Sequence, residues 1–238
     1  MEMVNNPMSS IEQPKAVLLE PSKRSAPRRV LYETIILLVL TFAAQFLPQG
    51  PRMILTLAPL VYFVVEHYLR RRTWTEAGFN FRAIPHAFAT NWFLILLVSV
   101  LIQFVVTWAA KSWMPAFIDH VVARLPFTIG QTVDYLPVIL GSTVIGAFFE
   151  EVSFRALFQE RLSWFLPTPV AIGVVSVIFG IGHWASGDPV IVCIDVLLVI
   201  LDSILYGTIF ARSKNTYVVW FTHCLANLTA LGFVLLLS

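Results

Sequence analysis

Phe148-Phe149-Glu150-Glu151-Val152-Ser153-Phe154-Arg155 places two adjacent carboxylates and an arginine inside an apolar run that begins near Leu136. A run of that length covers the ~20 residues a helix needs to cross a bilayer. Ionisable groups inside a membrane span are costly, so they face a bundle interior and mark a working site. Two further polar islands interrupt later apolar runs: Phe179-Gly180-Ile181-Gly182-His183 and His223-Cys224-Leu225-Ala226-Asn227. The expectation is that all three meet at one buried site.

The rest of the chain supports a membrane reading. Of its 238 residues 58% are hydrophobic and 13% charged, with a mean hydropathy of +0.78, whereas soluble domains carry about 25% charged residues. The fold class expected is all-α, a polytopic transmembrane helix bundle. About seven spans, in a range of six to eight, fit the hydropathy: 30–47, 53–69, 91–110, 136–158, 169–186, 190–210 and 217–237. The second and fifth are short for a bilayer. Residues 1–29 read as a flexible cytoplasmic tail and 30–238 as one transmembrane domain whose motif-bearing core is 136–237. The segment 73–90 and the loop 111–135 are expected on the membrane surface.

Charge gives the orientation. Twelve of the sixteen Lys and Arg fall on the side of the amino terminus and three (Arg52, Lys111, Arg124) on the other, with Arg155 inside a span; this bias places the amino terminus in the cytoplasm. No basic stripe with interleaved aromatics is present, so no nucleic-acid partner is expected. Cys193 and Cys224 both lie in apolar runs and form no disulfide framework.

Spacing divides the labour among the polar residues. Glu150 and Glu151 point about 100° apart on a helix. Arg155 follows Glu151 by four residues, the favoured spacing for a helical ion pair. Glu151 is then the supporting carboxylate, and Glu150 is free for acid–base work. His183 lies about 22 Å along its helix from Thr168, close to the roughly 21 Å that separates Glu150 from Trp164, so the two groups reach one depth. His223 and Asn227 share a helix face and offer two donors for an oxyanion. This set suits hydrolysis of a peptide or amide bond.

Glu-Glu-x-x-x-Arg, Phe-x-x-x-His and His-x-x-x-Asn, in that order on successive apolar segments, resemble the motifs of the CPBP intramembrane proteases. That family includes the CAAX prenyl endopeptidases and the bacteriocin-processing or immunity (Abi) proteins. The resemblance covers about 136–237; the first three spans share only their hydrophobicity. It implies that Glu150 and His183 activate a water, that His223 and Asn227 form the oxyanion hole, and that Glu151, Arg155 and Phe179 support the site. The family was long described as metalloproteases and is now treated as metal-free glutamate proteases. No cofactor is the expectation; a zinc ion, were one bound, would take Glu150, His183 and His223, although no His-Glu-x-x-His helix is present.

The partners expected are the lipid bilayer and a peptide or protein substrate, either lipidated or otherwise anchored in the membrane. Two other readings stay open on sequence alone. One is a proton-coupled transporter or channel that uses Glu150, Asp195, Asp202 and the histidines as a relay. The other is a non-catalytic immunity or scaffold protein. Asp195 and Asp202, seven residues apart and nearly on one face, are expected to line the cavity, to pair with Arg155 or to form a proton path.

Overall fold

A computed structural model describes residues 28–71, 73–124 and 132–237; most of the expected cytoplasmic tail lies outside them. Among the described residues the chain is helical with no strand. The helices are α1 (Arg28–Ala44), α2 (Gln49–Leu69), α3 (Phe81–Trp113), α4 (Pro115–Ala123), α5 (132–162), α6 (Thr168–Ile181), α7 (Pro189–Ser213) and α8 (Thr216–Leu237). Five of them are long and apolar enough to cross a membrane: α2, α3, α5, α7 and α8. The other two expected spans fall on α1, of 17 residues, and α6, of 14.

Local chemistry sets the ends. Asp188 accepts from the backbone N–H groups of Val190 and Ile191, and Pro189 occupies the first turn of α7. Lys214 closes α7 in the left-handed region, with φ 48°. Asn215 then caps α8 by accepting from the N–H groups of Tyr217 and Val218. The expectation for 73–90 is corrected here. Asn80 caps a short turn at Phe81–Ala83, and Pro85 sits early enough in the helix to be tolerated. Residues 81–90 therefore continue into the third span instead of lying apart on the surface. The loop 111–135 contains α4, and its residues 125–131 lie outside the described residues.

Two apolar clusters flank the middle of the bundle. One joins Leu37 and Leu38 of α1 and Phe63 of α2 to Val152, Leu157 and Phe158 of α5 and Val175 of α6. The other joins Ala87 and Val98 of α3 to Tyr206, Ile209 and Phe210 of α7 and Val218 and Val219 of α8. Helices α6 and α7 approach closely at Gly180, where an added Cβ would lie 2.3 Å from Ile200 Cγ1 and 3.1 Å from the Val196 carbonyl oxygen. Small residues at helix contacts are the usual means of such approach in membranes. Many outward-facing large side chains are apolar and exposed, among them Ile54, Trp92, Val190 and Leu197, as a lipid-facing surface requires.

Two stretches depart from regular α-helix. Residues 97–101 of α3 and 152–159 of α5 form wide turns with i→i+5 hydrogen bonding, a geometry concentrated at functional sites. The second begins directly after Glu151.

Candidate active site

The centre of the site is Glu151, which is fully buried. Its Oε2 lies 3.2 Å from Arg155 Nε one turn later, and its Oε1 lies 2.8 Å from His223 Nδ1 on α8. The contact with Arg155 is a close ion pair without hydrogen-bond alignment. Arg155 is also fully buried. Its Nη2 donates to the Ser203 carbonyl at 3.1 Å and to Ser203 Oγ at 3.0 Å, and Ser203 Oγ donates to Ser176 Oγ at 3.0 Å. The guanidinium lies 5.1 Å from the ring centre of Phe179 and 5.6 Å from that of Tyr206, within cation–π range. A buried ion pair needs such additional partners to offset its desolvation.

His223 is held by two aromatic rings and at one nitrogen. Tyr206 stacks on it at 4.8 Å and 25°, and Phe179 meets it edge-on at 6.1 Å. Arg155 beside the Glu151 carboxyl makes that group the acceptor, with Nδ1–H of His223 as the donor. The opposite nitrogen, Nε2, faces Glu150 Oε2 at 3.7 Å. Glu150 is the accessible member of the carboxylate pair: 39% of its side chain is exposed, against 0% for Glu151.

His183 sits in the turn after α6, half-buried. Its Nδ1 lies 2.9 Å from the Phe179 carbonyl oxygen; that oxygen only accepts, so Nδ1–H is the donor and Nε2 is left as the free acceptor of the neutral ring. The Phe179 ring packs against His183 at 4.7 Å as well as against His223. His183 and Glu150 share this neighbourhood without a direct contact among the described residues. Asn227, one turn beyond His223, is exposed and makes no hydrogen bond among the described residues.

The two aspartates of α7 do not take the partner considered for them. Arg155 engages Glu151 and Ser203 instead. Asp202 accepts from Gln103 Nε2 of α3 at 3.0 Å. Asp195 pairs with Arg124 and lies 3.6 Å from His120 of α4. Residues the sequence did not single out complete the site: Tyr206, Ser203 and Ser176; farther along α5, Gln159 Nε2 donates to the Gly207 carbonyl at 2.7 Å. The one signal for them was their position as small or polar residues within apolar helices.

A zinc site would require Glu150, His183 and His223 to converge, yet among the described residues no three His, Cys, Asp or Glu side chains form a metal-holding group. The hydrogen bonds to Glu151 and to the Phe179 carbonyl occupy the Nδ1 atoms and leave the Nε2 atoms of both histidines open.

Residues 132–229, which contain all three motifs, match the family model described as Rce1-like, type II CAAX prenyl endopeptidase. Comparisons with curated proteins and with solved structures return no match.

Proposed function

We propose, for a chain that belongs over residues 132–229 to the CAAX-type intramembrane endopeptidases, that Glu150 is the general base of a peptidase acting on a membrane-anchored substrate. The observation that carries this reading is the asymmetry of the two carboxylates. Glu151 is fully buried and held by Arg155 and His223, while Glu150 remains accessible beside the His223 ring. In the proposed reaction Glu150 takes a proton from water as its oxygen attacks the scissile carbonyl carbon. The tetrahedral intermediate then collapses, the C–N bond breaks, and the proton passes to the leaving amine.

His183 orients the water through Nε2, its other nitrogen being fixed by the Phe179 carbonyl. His223 and Asn227 donate to the oxyanion. Because Glu151 holds Nδ1–H, His223 donates through Nε2 only when that nitrogen is also protonated; the flanking carboxylates at 2.8 Å and 3.7 Å balance the resulting charge. No step runs through a metal. The substrate is the carboxy-terminal peptide of a lipidated protein, with the amino terminus of the enzyme in the cytoplasm as the Lys/Arg bias favours.

The test uses purified protein in lipid nanodiscs with farnesylated and unmodified carboxy-terminal peptides, with and without a strong chelator. Cleavage of the lipidated peptide, unaffected by chelation, is expected. Asn227→Ala should lower kcat by about 10²-fold, the usual effect of losing one oxyanion donor. Proton flux across liposomes without any cleavage would replace the peptidase by the relay.

A further inference from the structure

The helix that bears Glu150 and Glu151 is gripped a second time, away from the site. Arg161, six residues beyond Arg155, is fully buried. It forms an ion pair with Glu66 of α2, lies 4.8 Å from the Tyr62 ring centre, and donates from Nη1 to Tyr62 Oη at 3.2 Å. Tyr62 in turn donates to Glu33 of α1. Arg70 ties the two carboxylates together, at 2.6 Å from Glu33 and 2.9 Å from Glu66. With Arg29 also 2.8 Å from Glu33, three arginines and two glutamates join α1, α2 and α5. At the opposite end of α1, the Gln45 amide lies 3.6 Å from where a Cβ on Gly182 would stand, beside His183. The hairpin α1–α2 therefore touches both the helix of the carboxylates and the turn of the histidine. All of it lies outside the family match at 132–229.

A pair of apolar side chains of similar volume would join these helices at least as well as a buried ion pair. The ion pair adds direction: it is satisfied only at one rotation and one height of α5. Between this anchor and Glu151 lie the wide turns of 152–159, where the helix does not hold its regular phase by itself.

We propose that the α1–α2 hairpin is a positioning clamp, in which Glu66, acting through Arg161, sets the rotation and height of α5 and so the placement of Glu150 and Glu151. As a statement about catalysis this rests on the function proposed above; as a statement about α5 it does not.

The test compares Glu66→Gln, Arg161→Met and the double variant in nanodiscs. Thermal unfolding, kcat, KM and amide hydrogen exchange across 148–155 are measured for each. Glu66→Gln leaves the buried Arg161 without an ion partner and should melt earlier, whereas Arg161→Met leaves Glu66 paired with Arg70 and should lose less. The double variant should regain the wild-type melting temperature, with kcat still reduced roughly tenfold or more, KM within about twofold, and exchange at 148–155 faster; displacements near 1 Å suffice for losses of this size. A double variant that regains wild-type kcat and wild-type exchange would overturn the clamp. Should the wild type cleave nothing, the peptidase reading fails by itself, and exchange in the double variant decides the clamp: faster supports it and unchanged overturns it.

Discussion

Replacing Glu150 with glutamine is expected to lower the cleavage of a lipidated peptide by about 10²- to 10⁴-fold, the range a positioned general base contributes. Glutamine keeps the shape and the hydrogen-bonding reach of the side chain and removes only its capacity to accept the water proton. Glu150 is partly exposed and makes no close ion pair, its nearest charged neighbour being His223 Nε2 at 3.7 Å. The melting temperature of the variant should therefore match that of the wild type. The pairing of lost turnover with unchanged unfolding is what distinguishes a base from a structural carboxylate. Cleavage at the wild-type rate by Glu150→Gln would remove Glu150 from the reaction.

Arg155→Met should behave in the opposite sense, with its largest effect on stability. Both Arg155 and Glu151 have side chains that are 0% exposed. Removing one partner of a buried pair typically costs about 3–5 kcal/mol, because the other charge is left without compensation. Methionine fills much of the same volume beside Phe179 and Tyr206, so the loss reports the charge and its hydrogen bonds more than a cavity. Adding Glu151→Gln to Arg155→Met should recover a large part of that stability. Denaturant titration in micelles measures both. A single variant as stable as the wild type would mean that His223 alone neutralises Glu151.

These two residues also show how much of the site was legible beforehand. The Glu151–Arg155 pair follows from a four-residue spacing and appears as expected. The bond from Glu151 to His223 joins positions 72 residues apart, and helix counting could say only that their depths overlapped. Asp195 and Asp202 share a helix face by their spacing of seven, yet that same spacing separates them by about 10 Å along the axis. They consequently meet different layers of neighbours, Arg124 and His120 in one case and Gln103 in the other. Five of the expected spans were readable because length and apolarity alone identify them. The grip of Glu66 on Arg161 was hidden, since charges near span ends ordinarily read as interfacial. The wide turns at 152–159 have no sequence signature at all.

Helix α6 has a consequence for the membrane itself. Its 14 residues rise about 21 Å, short of the roughly 30 Å hydrocarbon layer, whereas the 25 residues of α7 rise about 38 Å. The segment 182–188 between them covers the remaining height; the N–H groups of Gly182, His183 and Trp184 still bond back to α6 carbonyls, and beyond Trp184 the helical pairing ends. Such backbone survives at that depth only where protein covers it or water reaches it. Trp184 and residues 186–188 are exposed, so the expected cover is water: a local pit of hydration sunk toward the reacting atoms, which would bring the second substrate of any hydrolase into a medium that excludes it. A spin label on a cysteine at Ala185 should be more accessible to a water-soluble relaxation agent than one at Val174, on the lipid face of α6, and the reverse ranking would mean that the pit is dry.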